Sequence, residues 1–203
     1  MANVRLIVGD VSTWSMRAWM SLKLAKVDFD ELVIPLGQSE HKQFLAENSD
    51  SLLVPVLISN KNKIHDSMAI AEFVNEMSNG LLFPNDQYER AECRSLCAEL
   101  HSGFVKIRTL CPYSIEGGQL SQDTQQLEPE LTRLKAIWSA ANGQFFYKEP
   151  SLFDAYYVVM AHRLAGYGII FDGDAGEYQK NIITWDLFDQ SLKQAKKWRS
   201  SGV

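Results

Sequence analysis

The sequence predicts a small α/β domain followed by an all-helical one. Three observations predict this. Up to residue 79, short β-branched and aliphatic runs alternate with segments of helical pattern. Residues 80–87 then gather Gly80, Pro84 and Asn85, the composition of a linker. From Tyr88 onward apolar residues recur at helical spacing and strand-like runs cease. The domains that follow are 1–79 and 88–203, with 80–87 between them.

Each element has its own signal. Val4 to Val8 is an aliphatic run of strand length. The hydroxyls of Ser12-Thr13-Trp14-Ser15 stand where a helix can start, and Met16 to Lys26 mixes Trp19, Met20, Leu22 and Leu24 with charged residues in a helical pattern. Leu32 to Leu36 reads as a second strand and His41 to Glu47 as a short helix. Val54 to Ile58 is strand-like, Asn60 to Asn62 a tight turn, and the segment around Ile64 its returning strand. Asp66-Ser67 caps a helix through Met77. The order β-α-β-α-β-β-α packs most simply as a parallel pair with a right-handed crossover, extended by a hairpin. In the second domain, Tyr88 to Leu110 reads as one long helix, with Pro112 and Gly117-Gly118 breaking the chain after it. Leu127, Leu131, Leu134 and Trp138 mark another, kinked or restarted at Pro129. Ser151 to Asp154 resembles a capping box with Asp for Glu. Ala155 to Leu164 is apolar almost all round, the mark of a buried central helix. Trp185 to Arg199 closes the chain as an amphipathic helix.

Composition narrows the function. The chain has 203 residues, 46% of them hydrophobic and 22% charged, which is globular composition. Its net charge of −5 gives no electrostatic reason to expect nucleic acid or an anionic membrane surface. No apolar run approaches the ~20 residues of a membrane span, and the opening MANVRLIVGDV reads as a first strand rather than a signal peptide. Three cysteines, Cys93, Cys97 and Cys111, an odd and low count, fit reduced thiols in the cytoplasm. Cys93, Cys97 and His101 share a helix face, but the first and last lie about 12 Å apart along the axis. Metal–ligand bonds of about 2 Å cannot close that distance, so no metal is expected there.

Three segments of the first domain carry chemistry. Ser12 to Ser15 lies between the first strand and the first helix, where thioredoxin-like folds place a C-x-x-C pair. Serine stands at both cysteine positions, so dithiol chemistry is absent, and what remains is a hydroxyl at a helix N-terminus, where an anion is favoured. Val54-Pro55 opens a strand; with a cis bond, Val54 could present its N–H and C=O to an extended peptide. Asp66-Ser67 opens a helix whose first N–H groups and hydroxyl can hold a carboxylate, while Asp66 accepts from an ammonium group. Each segment also reads as an ordinary cap or loop. Together they are complementary to glutathione.

The segments STWSMRAWMSLKLA, LLVPVL, HDSMAIAEFVNE and SLFDAYYVVMAHRL resemble the cytosolic glutathione transferases over nearly the whole chain, and RSLCAELHSGF resembles a group of bacterial transferase-like proteins. The resemblance implies a thioredoxin-like N-terminal domain, an all-α C-terminal domain, glutathione as co-substrate and a homodimer. In serine-type members of the zeta class a serine precedes a helix-one arginine by five residues, as Ser12 precedes Arg17; the theta spacing of four points to Thr13, and Ser15 is a third candidate. The tyrosine of other classes is absent between Val4 and Ser15. By the same resemblance Val54 and Pro55 pair with the cysteinyl backbone, and Asp66 and Ser67 hold the γ-glutamyl end. His41 and Lys42 lie where the glycyl carboxylate is often bound. Trp14, His101, Phe104, Arg108 and Tyr113 are candidates for lining the pocket of a small electrophile, with Arg108 steering an anionic one. A thiol pKa near 8.5 lowered by two units corresponds to about 2.7 kcal/mol. A charge-assisted hydrogen bond of roughly 1.5–3 kcal/mol plus a helix dipole supplies that. The expected activity is glutathione transfer, with a zeta-type isomerase or a non-catalytic binding protein as alternatives.

Overall fold

The computed structural model describes residues 4–36, 40–49, 51–120 and 124–201. It divides into two compact units, Met1–Leu82 with Asp189–Val203, and Phe83–Phe188. The first contains β1 (Val4–Gly9), α1 (Thr13–Leu24), β2 (Asp30–Ile34), α2 (Glu40–Asn48), β3 (Val56–Ser59), β4 (Asn62–His65) and α3 (Ser67–Met77). The second contains α4 (Gln87–Ser102), α5 (Val105–Leu110), a 3₁₀ turn (Gln125–Leu127), α6 (Glu128–Trp138), α7 (Leu152–Gly166) and α8 (Gly173–Ile183). A last helix, α9, runs over Asp186–Ser201.

The first unit is a thioredoxin-like mixed sheet in the order β2-β1-β3-β4. The β1–β2 pair is parallel, with Ile7 opposite Leu32, and the crossover through α1 joins them. β3 runs antiparallel to β1 and β4 antiparallel to β3. β1 lies inside the sheet and is buried on both faces, so Leu6, Ile7 and Val8 read as a continuous aliphatic run rather than an alternation. Asn60 and Lys61 both have positive φ, as a two-residue hairpin loop requires. The strands start or stop earlier or later than their apolar runs suggest. Pro35 has no N–H for the ladder, and β2 ends before it; Leu36 N–H donates instead to Asp10 Oδ1 at 2.9 Å. Pro55 likewise precedes β3 rather than lying in it.

From Asp189 onward α9 belongs to this first unit, whereas the hydrophobic pattern assigns 88–203 to one helical domain. The physical link is Glu31 on β2. Its Oε1 accepts from Trp19 Nε1 at 2.7 Å, and its Oε2 from Trp198 Nε1 at 2.6 Å and Gln194 Nε2 at 2.8 Å. Both indoles are buried. Glu31→Ala therefore strands two indole N–H groups and is expected to cost about 3 kcal/mol of unfolding free energy. Urea melts check this, and a loss below about 1 kcal/mol, the scale of a surface change, contradicts it.

In the second unit, α7 is the buried axis, packed against α4 and α8. Three differences from the sequence pattern matter. The Tyr88–Leu110 helix is two helices, because Gly103 leaves the helical region and Phe104 adopts the left-handed one (φ 57°). The break is stabilised from both sides. Glu130 accepts from Lys106 N–H at 3.1 Å and Ile107 N–H at 2.8 Å, capping α5, and Arg108 takes carbonyls released at the end of α4. Pro129 falls in the first turn of α6, where its missing N–H is harmless. Helix α8 has no counterpart in the sequence reading. Two glycines in its first turns weaken the pattern, yet a Cβ at Gly176 would stand 2.1 Å from the Phe171 carbonyl oxygen, so the position excludes a side chain.

The capping box at α7 is formed. Asp154 Oδ2 accepts from Ser151 N–H at 2.9 Å and Ser151 Oγ at 3.0 Å, and Oδ1 from Phe146 N–H and the Tyr178 hydroxyl, both at 3.0 Å. Burial pushes this carboxyl up to about 6 despite the four donors. Among the described residues, no helix is long and apolar enough to cross a membrane.

Candidate functional site

The α/β unit brings the first two candidate segments together at Gly9. A Cβ there would stand 2.5 Å from Leu36 Cδ1 and 3.0 Å from Val54 Cγ2, so a side chain at this position would push Leu36 and Val54 away from the end of β1. The chain then turns, with Ser12 N–H donating to Gly9 C=O at 3.1 Å, and enters α1.

The three candidate hydroxyls have different surroundings. Ser12 is the N-cap of α1, half-buried, and its Oγ accepts from Ser15 N–H at 3.2 Å. Accepting that bond fixes the oxygen and keeps the hydroxyl proton for donation. Ser15 is 0% exposed, and its Oγ accepts from Gly9 N–H at 3.1 Å, tying α1 back to β1. Thr13 is the buried first residue of the helix. Trp14, beside them, is half-buried with the Arg17 guanidinium 4.6 Å from its ring centre.

Val54-Pro55 is a cis peptide. Pro55 is buried, and Val54 packs against the cluster of Ile7, Ile34, Leu45 and Val56. Asp66 caps α3 from positive φ (76°), its Oδ1 accepting from Met68 N–H at 2.7 Å and Ala69 N–H at 3.2 Å. That oxygen does the capping work the sequence offered as the plainer reading. Ser67 differs. It is 2% exposed, and its Oγ makes no hydrogen bond among the described residues. Such a buried hydroxyl carries a desolvation cost of about 1–3 kcal/mol until something bonds to it. Lys42 is exposed on α2; His41 lies on the same helix, and its side chain falls outside the described residues.

The pocket candidates of the helical unit have distinct roles. Phe104 is 5% exposed and belongs to its core. Arg108 Nε donates to Gly103 C=O at 3.1 Å and Nη2 to Leu100 C=O, which commits these donors to helix-end carbonyls. Burial, and then the charge of Arg163, push Arg108 down to about 10. His101 ends α4 and is half-buried. Tyr113 lies beyond α5 with His162 at 5.7 Å between ring centres. Sequence reasoning passed over His162 and Arg163. The available signal was two ionisable residues inside a helix otherwise apolar all round. Cys93 and Cys97 are buried on α4 and free of disulfides.

Comparison with known proteins bears on the same segments. Residues 11–77 match the family model of the glutathione S-transferase N-terminal domain, a span that includes Ser12, Val54-Pro55 and Asp66-Ser67. The chain is 27% identical over 154 residues to the "Probable glutathione S-transferase BZ2" of Zea mays, covering 71% of this chain and 65% of that protein. It is 27% identical over 140 residues to the "Probable maleylacetoacetate isomerase" of Caenorhabditis elegans, covering 66% of this chain and 65% of that one. The matched region thus spans just under two thirds of both relatives. In structure, it resembles a glutathione transferase homologue from Burkholderia solved with bound glutathione, with a TM-score of 0.75 over 96% of this chain and 99% of that one. The sequence identity there is 22%, so that likeness establishes the fold.

Proposed function

We propose that the chain binds glutathione in its α/β unit and activates the thiol for addition to a small electrophile. The observation that carries this reading is Ser12: a half-buried hydroxyl at the N-terminus of α1 whose oxygen is fixed by Ser15 N–H and whose proton is left to give. Ser12 donates to the glutathione thiolate, and the α1 dipole adds to the stabilisation of the anion. Ser15 serves the fold through Gly9, and Thr13 is buried, so Ser12 is the choice among the three. Val54 offers its backbone to the cysteinyl residue, and the Ser67 hydroxyl bonds the γ-glutamyl carboxylate. Asp66 orients α3 as its cap and offers its charge to the ammonium group. Lys42 and His41 are proposed for the glycyl carboxylate. The sulfur then attacks the electrophile, forming a carbon–sulfur bond; an addition takes a proton from water, and a substitution expels the leaving group.

A second reading is a glutathione-dependent isomerase. The Ser12–Arg17 spacing favours it, as does the named activity of the nematode relative. In that case the thiol adds, the bond geometry changes, and the thiol leaves unchanged. A binding protein without turnover would share the glutathione site alone. We also propose a cytoplasmic homodimer. The exposed Leu52, Leu53 and Leu81 of the α/β unit are apolar surface that a second copy would cover. Sedimentation is expected to give twice the 23.0 kDa chain mass, and a 23.0 kDa species contradicts the dimer.

The test of the main reading is calorimetric titration with glutathione, followed by the thiolate absorbance of the complex against pH. Saturable binding with a thiol pKa well below that of free glutathione is expected. No binding at millimolar glutathione overturns both enzymatic readings.

A further inference from the structure

The helical unit buries guanidinium charge without a matching carboxylate. Arg163, on α7, is 5% exposed. Its Nη1 donates to Cys111 C=O at 3.1 Å and Arg108 C=O at 3.5 Å, the carbonyls at the end of α5. Those carbonyls, with the negative end of a short helix behind them, account for one edge of the group. The other edge, Nε and Nη2, makes no hydrogen bond among the described residues, and Nε is fully buried. The groups that face Arg163 are the phenols of Tyr113 and Tyr167 and the thiol of Cys111, all neutral acids. Arg108 approaches closely enough for the two positive charges to oppose each other. Glu130 faces Arg108, but its two oxygens are engaged by the N–H groups of α5.

A second orphan belongs to the preceding residue of α7. His162 Nδ1 is buried and makes no hydrogen bond among the described residues. Its ring lies 5.7 Å from that of Tyr113, and Arg163 Cζ lies 5.7 Å from the same ring. Tyr113 thus borders both. A buried cation with an unsatisfied Nε lies against Tyr113 with a second cation nearby, and an anion there would satisfy what the fold leaves open.

We propose that the Nε–Nη2 edge of Arg163, with Tyr113 at its border, binds the carboxylate of a small-molecule ligand. The shape of the donor edge argues for this class. Two parallel N–H groups of a guanidinium fit the two oxygens of a carboxylate, whereas a neutral amide offers one oxygen and no charge. As a site for the acid group of the electrophile, this rests on the transfer reading above. As a binding site it stands without glutathione, and it is tested without it.

The probe is sodium benzoate, with benzamide as the uncharged isostere, added to the intact glutathione-free protein. Benzoate is expected to move the Arg163 Nε–H nuclear magnetic resonance signal downfield and to give a saturable calorimetric isotherm, and benzamide to do neither. Arg163→Lys keeps the charge but loses the fork, and is expected to weaken benzoate by about tenfold, the scale of one charge-assisted hydrogen bond. Arg163→Met is expected to abolish binding. Because Arg163→Met also releases the Cys111 and Arg108 carbonyls, the wild-type resonance is the readout that survives a folding defect. An Arg163 signal unmoved at tens of millimolar benzoate overturns the proposal. So does benzoate binding that persists in a folded Arg163→Met protein, or equal binding of benzamide. Failure of glutathione binding alone leaves this site intact and removes only its link to transfer.

Discussion

Replacing Asp154 by alanine is expected to lower the unfolding free energy by about 4 kcal/mol, the largest single-residue effect on stability anticipated for this protein. The carboxylate is the common acceptor of Phe146 N–H, Ser151 N–H, Ser151 Oγ and the Tyr178 hydroxyl, all in a buried setting. Alanine supplies no acceptor. At least three buried donors are then left unpaired at roughly 1–3 kcal/mol each, partly relieved by relaxation and water entry. Loss of the N-terminal cap of α7, the buried axis of its unit, adds about 1 kcal/mol. Chemical denaturation of wild type and variant measures the difference, and a cost below about 1.5 kcal/mol would mean the donors find other partners.

The pH dependence of that cost has a definite sign. The folded-state pKa of Asp154 is raised, from 3.8 to about 6, chiefly by burial. The folded protein therefore holds this proton more tightly than the unfolded chain does. The contribution of Asp154 is complete below pH 3.8, is reduced as pH climbs to about 6, and is constant above that. The penalty of Asp154→Ala should accordingly be larger at pH 4.5 than at pH 7.5. Using the difference between the two proteins cancels the opposite trend of carboxylates such as Glu99, whose pKa is lowered by its hydrogen bonds to Arg133.

How much of this was readable beforehand depends on where the information lies in the chain. The α/β unit follows from local signals. β1, α1 and α3 announce themselves by an aliphatic run and by hydroxyl or acid caps, and the order of elements suffices for the crossover and hairpin. The capping box is equally local, four residues apart. What escaped is long-range. The break at Gly103-Phe104 depends on Glu130, more than twenty residues downstream, capping the new helix start. The membership of α9 from Asp189 onward depends on Glu31 gripping Trp198 and Gln194 from across the chain. Helix α8 was hidden for a local reason: Gly173 and Gly176 weaken its first turns, and Gly176 is held to glycine by the Phe171 carbonyl five residues earlier. For the site, the sequence narrowed the hydroxyl to Ser12, Thr13 or Ser15 and could go no further. Which oxygen faces inward is decided by the Gly9–Ser15 bond, and spacing does not encode it. The sequence reading passes over Arg163 because the carbonyls it binds lie more than fifty residues away.

Removing the Ser12 hydroxyl is expected to have the largest effect on chemistry. Ser12→Ala deletes the donor proposed for the sulfur anion, a bond of about 1.5–3 kcal/mol, so the bound thiol pKa should rise by about 1–2. Turnover near neutral pH should then fall by about 10- to 100-fold. The same change removes the cap acceptor for Ser15 N–H, which costs about 1 kcal/mol of stability and by itself need not touch the thiol. Two further variants separate these effects. Ser12→Asp retains a strong cap but sets a negative charge beside the sulfur, so helix stability is kept while the thiol pKa rises above that of the alanine variant. Ser15→Ala breaks the bond from Gly9 N–H and lowers stability, yet leaves the thiol pKa where it was. Absorbance titration of the glutathione complex reads all three. A thiol pKa that stays low in Ser12→Ala and rises in Thr13→Ala transfers the donor role to Thr13. One that rises in Ser15→Ala alone means the Gly9 contact yields to the ligand, and Ser15 is the donor. The geometry of the turn favours Ser12, because it alone of the three is both half-buried and held by an accepted bond that leaves its proton to give.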